Sequence, residues 1–158
     1  MKEIPQGTSD EMVIDTTPDM GVKHLPVPMY STPAMVGHIE GLCLKMLIPF
    51  QDAGESSVGY RVDVKHTSPT PIGMKVTLRS RVNEAEGRKV VFEVEVYNET
   101  GAKIGLSLAL IDGGWRSEML LLYFRWLNQQ NIAGVTGKVR ASSGAGRAGH
   151  PVIDRRFL

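Results

Sequence analysis

The sequence predicts an α+β domain in which one long helix lies against an antiparallel sheet. Two observations carry this. Residues 33–47 fill one broad arc of a helical wheel with Met35, Val36, Ile39, Leu42, Cys43, Leu44, Met46 and Leu47, and leave Gly37, His38, Gly41 and Lys45 opposite. Between residues 58 and 111, four segments then alternate apolar and polar side chains with short turns between them, as in a meander with one buried and one wet face.

The elements follow in order. Residues 1–11 are polar, carry both signs of charge and read as a flexible arm rather than a signal peptide. The main domain is expected over residues 12–115. Residues 12–16 and 20–24 supply a first strand, broken by Pro18. Residues 25–30 hold Pro26 and Pro28, which remove donors and restrict their neighbours, so they form a loop over the body. Ser31 or Thr32 caps the helix, Pro33 sits in its first turn, and Pro49 and Gly54 close it. In residues 58–66, Val58, Tyr60, Val62, Val64 and His66 share a face. In residues 74–82 the apolar set is Met74, Val76, Leu78 and Val82. In residues 88–97 it is Val90, Phe92, Val94 and Val96, and in residues 103–111 it is Ile104, Leu106, Leu108 and Leu110. Pro69, Pro71 and Gly73, then Glu86-Gly87, then residues 98–101 mark the turns.

The end of the chain changes character. Residues 116–130 read as an apolar helix. Residues 131–158 form a basic tail, rich in Gly, Ala and Ser, in which Lys138, Arg140, Arg147, Arg155 and Arg156 face Asp154 alone; too few apolar groups remain there to offset the entropy of ordering.

Composition narrows the function. The net charge of +1 across 158 residues gives no field that would draw in nucleic acid or an acidic membrane. The longest apolar run, residues 119–124, is too short to span a bilayer. Cys43 is the single cysteine, so no internal disulfide forms and a reducing, cytoplasmic setting fits. Its place on the apolar arc makes it core filling rather than a nucleophile. No Cys/His set has metal-ligand spacing, and no metal is expected.

Glu40 is the informative residue. It falls inside the apolar arc, where an unpaired carboxylate costs several kcal/mol, roughly, unless it finds a partner or changes its pKa. A carboxyl held in that way is a candidate general base or nucleophile; the plainer reading is a boundary position that reaches water. His66 is in phase with Val62 and Val64 and so faces the side on which the helix packs. An imidazole there either fills the core or orients Glu40 and moves a proton. Thr32 adds a hydroxyl beside the free amides of the helix start, where an oxyanion is favoured. His38, on the polar arc, is expected to be solvated, and His24 and His150 have no partner in register.

Tyr30-Ser31-Thr32-Pro33-Ala34-Met35-Val36, Glu40, Ser57-Val58-Gly59, Val64-Lys65-His66, the run from Pro69-Thr70-Pro71-Ile72-Gly73 to Val76, and Gly87-Arg88 together resemble the hotdog-fold thioesterases of the fluoroacetyl-CoA thioesterase type. The resemblance covers roughly residues 12–105. It implies a hotdog fold, a long helix wrapped by an antiparallel sheet and paired into a homodimer, with the acyl-CoA site at the interface. It also implies Thr32, Glu40 and His66 as the catalytic set, and Gly59 as the glycine whose backbone lies near the acyl group. Tyr30 and Pro33, which flank Thr32 in the matched run, are expected to bind substrate. The implied activity is hydrolysis of a short or small acyl-CoA, with coenzyme A entering as part of the substrate and no other cofactor. A hotdog dehydratase acting on hydroxyacyl thioesters and a non-catalytic acyl-CoA binder are the alternatives. The chain departs from the pattern at residues 25–30, where the fluoroacetyl-CoA enzyme has a longer segment whose phenylalanines form a lid. It departs again after Gly105, where Leu106-Ser107-Leu108-Ala109-Leu110-Ile111 replaces the family's His-Glu-Arg run.

Overall fold

The computed structural model describes residues 1–22 and 24–116; the apolar helix expected beyond Arg116 and the basic tail at 131–158 lie outside the described residues. One antiparallel sheet holds five strands among these residues: β1 (Ser9–Asp15), β2 (Glu55–His66), β3 (Lys75–Glu86), β4 (Lys89–Asn98) and β5 (Lys103–Arg116). They lie in the order β1-β3-β4-β5-β2, so β1 and β2 form the two edges. The helix α1 (Thr32–Leu47) crosses the inner face and packs mainly on β2 and β5. This is the hotdog arrangement. No helix among the described residues is long and apolar enough to cross a membrane.

Helix α1 starts where the sequence places it. Ser31 is the cap: its backbone is extended and its hydroxyl accepts from the Ala34 amide at 3.2 Å. Met35, Ile39, Leu42, Cys43, Met46 and Leu47 are buried beneath it. A single 3₁₀ turn, Ile48–Phe50, follows, and Gly54 at φ +79° swings the chain into β2.

The core also follows the alternation of β3 and β4. Val76, Leu78 and Val82 on one strand, with Val90, Phe92, Val94 and Val96 on the other, are fully buried. Each large side chain removed from water in this way contributes roughly 1.5–3 kcal/mol.

Three expectations change. Residues 1–11 are not a loose arm. Ile4 is buried in the core, the Gly7 amide donates to the Val82 carbonyl, and Ser9 already pairs with Arg81. Ile4, with Met1 packed against the same core, anchors a stretch that is otherwise mostly polar. The first strand is Ser9–Asp15 alone; Pro18–Met20 forms a 3₁₀ turn, and Gly21 meets Tyr30 in an isolated bridge.

The inward phases of β2 and β5 also differ from simple alternation. A bulge between Gly59 and Arg61 leaves Tyr60 unpaired and 65% exposed, so Ser57 and Gly59 face inward before it and Val62, Val64 and His66 after it. On β5, Gly105, Ser107, Ala109 and Ile111 lie beneath the helix, whereas Leu106 and Leu108 stand 42% and 50% exposed on the outer face. At Gly105 the helix lies so close to β5 that no side chain fits: a Cβ there would sit 2.7 Å from Met35 Sδ.

Candidate functional site

The residues marked by the sequence collect along the seam between α1 and the edge strand β2. Thr32 opens the helix and His66 closes the strand. Their side chains meet, with Thr32 Oγ1 3.0 Å from His66 Nδ1. Two turns further along α1, Glu40 lies under the bulged part of β2, and the Gly59 amide donates to its Oε1 at 3.1 Å. Gly59 pairs with Ile111 immediately before the bulge, and its amide points to the carboxylate. Glu40 is half-buried rather than enclosed. It sits at the border of the apolar arc, where the neighbouring backbone rather than a side chain supplies its partner.

Thr32 is therefore joined to His66 and Glu40 to Gly59, two contacts along one seam. Pro33 is exposed beside Thr32 in the first turn. Tyr30 is buried at 2% exposure, with its amide bonded to the Thr70 carbonyl at 2.8 Å and its ring edge-on to His66 at 6.3 Å between centroids. A pocket of about 320 Å³ opens beside this group, walled by Val22, His24, Leu25 and Met29 on one side and Thr32, His66, Thr67 and Ser68 on the other.

The loop that forms the first wall is held in place by backbone bonds. Met29 bridges to Pro71, and the Ile72 amide donates to the Pro28 carbonyl at 3.0 Å. Thr16 ties down the same turn: its hydroxyl donates to the Met74 carbonyl and accepts from the Gly73 amide. The loop thus supplies Leu25 and Met29 to a wall of the pocket and is not merely a cover.

The electrostatics favour a neutral imidazole. Burial lowers the pKa of His66 below the ordinary histidine value, against a smaller opposing pull from the Ser68 backbone. Its Nε2 is buried and has no hydrogen-bond partner among the described residues. With Nδ1 engaged by Thr32, the other nitrogen remains to take or give a proton. Cys43 behaves as core filling: it is fully buried, and burial pushes its thiol up to about 12.

His38 is the residue that sequence reasoning misplaced. It is half-buried rather than solvated, and its Nδ1 lies 2.7 Å from the Tyr30 hydroxyl. A helical wheel could not reveal this, because Tyr30 precedes the helix cap and so lies off the wheel.

The comparisons with known proteins agree with this fold. The fluoroacetyl-CoA-specific thioesterase family model matches residues 9–107. A fluoroacetyl-CoA thioesterase from Streptantibioticus cattleyicolor is 33% identical over 70 residues, covering 44% of this chain and 50% of that protein, so the match spans half of the relative's length. Among solved structures, a hypothetical protein from Thermus thermophilus, described as a thioesterase superfamily member, is 31% identical with a TM-score of 0.77 over 84% of this chain and 99% of its own. A hot-dog-like protein from Thermanaerovibrio acidaminovorans is 25% identical with a TM-score of 0.69 over 78% and 92%. With a family model matched from the first strand into the last, the chain belongs to the fluoroacetyl-CoA-specific thioesterase family.

Proposed function

We propose that the protein is a thioester hydrolase that cleaves a short or small acyl-CoA to the free acid and coenzyme A. The observation that carries this reading is the Glu40 carboxylate, held by the Gly59 amide on the same seam as the Thr32–His66 pair. Family membership supports the reading.

Hydrolysis then runs as follows. Glu40 takes a proton from water as the water oxygen bonds to the thioester carbonyl carbon. Alternatively, Glu40 itself attacks that carbon and water hydrolyses the resulting anhydride. The tetrahedral adduct collapses, the carbon–sulfur bond breaks, and the departing sulfur is protonated to the coenzyme A thiol. His66, with Nε2 free, assists the proton transfer. Thr32 holds its Nδ1 and, through the helix start, helps to place the acyl oxygen. Tyr30 and Pro33 border the acyl group. No metal or redox cofactor enters, because water and an acid/base pair suffice for this bond.

The working form is a cytoplasmic homodimer. Strand β2 carries Gly59 and His66 and is a sheet edge, so a second copy placed there would wall the site from the open side. Light scattering at micromolar concentration tests this, and a stable monomer would contradict it. Release of free thiol from a panel of short acyl-CoAs tests the activity itself. Single turnover in ¹⁸O-labelled water, followed by mass analysis of the peptide containing Glu40, tests the nucleophilic route: label on Glu40 indicates an anhydride that water has opened at the Glu40 carbonyl.

A further inference from the structure

Tyr30 and His38 form a second contact at the site. Their ring planes are within 3° of parallel, but the centroids are 5.9 Å apart. The contact that joins them is the 2.7 Å hydrogen bond between the Tyr30 hydroxyl and His38 Nδ1. Burial raises the phenol and lowers the imidazole, so both are neutral near pH 7. Between neutral partners the phenol is the stronger donor and the imidazole nitrogen the stronger acceptor. We therefore assign the proton to the phenol oxygen, donating to Nδ1.

The Tyr30 ring also meets His66, at 6.3 Å between centroids and an interplanar angle of 66°, an edge-to-face arrangement. His66 is thus held by the Thr32 hydroxyl on Nδ1 and by the Tyr30 ring beside it. The main chain of Tyr30 is fixed by Thr70, and the hydroxyl end of its side chain by His38.

We propose that His38 is a positioning residue for thioester hydrolysis. By accepting the Tyr30 hydroxyl it locks the tyrosine ring against His66, and so holds the His66 imidazole with Nδ1 on Thr32 and Nε2 left for proton transfer. This rests on the thioesterase reading above. His38 touches Tyr30 and acts through it.

The test uses the full chain with His38→Leu, His38→Asn and Tyr30→Phe. Leucine removes the acceptor, asparagine restores one at the place of Nδ1, and phenylalanine removes the donor while keeping the ring. Hydrolysis of the best short acyl-CoA is measured together with imidazole ¹⁵N spectra recorded without substrate. His38→Leu and Tyr30→Phe should each lower kcat by about tenfold and leave KM within about twofold, the pattern of a mispositioned group rather than lost binding. His38→Asn should recover kcat to within about threefold of the parent. The His66 nitrogens should show one tautomer in the parent and in His38→Asn, and an averaged pattern in His38→Leu. A kcat within about twofold of the parent in His38→Leu, with the His66 spectrum unchanged, overturns the proposal. So does failure of asparagine to restore what leucine removed at an unchanged melting temperature. If the parent releases no thiol from any acyl-CoA, the thioesterase reading falls. The spectra still decide whether His38 holds His66: averaging upholds that hold and an unchanged pattern overturns it. Should His38→Leu not fold, Tyr30→Phe against His38→Asn makes the same comparison.

Discussion

The Gly59 amide donates to Glu40 Oε1 at 3.1 Å, and the same glycine leaves no room for a side chain, because a Cβ built there would lie 2.8 Å from Glu40 Cδ. The carboxylate and the bulged strand are therefore fitted to each other.

Gly59→Ala should damage the site more than the fold. The backbone at Gly59 is not in the left-handed region, so alanine is tolerated there, and the methyl group instead displaces the Glu40 carboxylate. A displacement of about 1 Å at a reacting group costs on the order of 10² in rate. Thiol release should fall by that order, with the melting temperature within a few degrees of the parent, about 1 kcal/mol or less. Activity near that of the parent would show that the carboxylate works equally well from another position.

Glu40→Gln keeps the shape and the hydrogen bond from Gly59 but removes the base or nucleophile. Hydrolysis should fall by about 10²–10⁴ while secondary structure and melting temperature stay close to those of the parent. Turnover within about threefold of the parent would remove Glu40 from the mechanism.

His38 and His66 both have pKa values lowered by burial, which sets the sign of a pH effect. Below the ordinary histidine value of about 6.5, the unfolded chain binds more protons than the folded one. Stability therefore rises with pH through this window. The contribution is fully present above about pH 6.5 and is lost as the pH falls through the two folded-state values. Melting temperature followed from pH 7.5 down to about 5.5 should decline, above the range in which carboxylates titrate. His38→Asn should flatten that decline by removing one of the two groups. Hydrolysis should lose rate on the same acid side, because a protonated His66 cannot accept a proton. A melting temperature that rises on acidification would contradict the burial argument.

Much of the fold was legible because its strongest patterns are local. Helix α1, with Ser31 as cap and Pro33 in its first turn, and the buried faces of β3 and β4 follow from periods of 3.6 and 2. What escaped depends on contacts that no local period encodes. The bulge at Gly59–Arg61 flips the phase of β2, so counting by two puts Tyr60 inside. On β5 the leucines look like core, but the buried phase is that of Gly105, Ser107, Ala109 and Ile111, and at Gly105 the close approach of Met35 leaves no room for a side chain. Glu40 and His66 were legible as polar groups in apolar phase, whereas the partner of Glu40, a backbone amide, has no signature in sequence. His38 escaped because its partner Tyr30 lies beyond the helix cap.

Gly105→Ala tests how tightly α1 lies on β5. A Cβ at this position would meet Met35 Sδ at 2.7 Å, Met35 Cε at 3.1 Å and the Lys65 carbonyl oxygen at 3.4 Å. Alanine restricts the unfolded chain and would by itself stabilise by about 0.4–1 kcal/mol. Overpacking against a fully buried methionine costs more, roughly 1–3 kcal/mol, so the net change should be destabilising. Met35→Ala alone should cost about 2–5 kcal/mol by opening a cavity. In the double variant the new methyl group points into that cavity, so the two losses should not add. The shortfall should be about 0.5–3 kcal/mol, as for residues in direct contact. Denaturant melts of the four proteins measure it. Strict additivity would mean that Met35 does not set the distance between helix and strand, and that Gly105 answers to the Lys65 backbone instead.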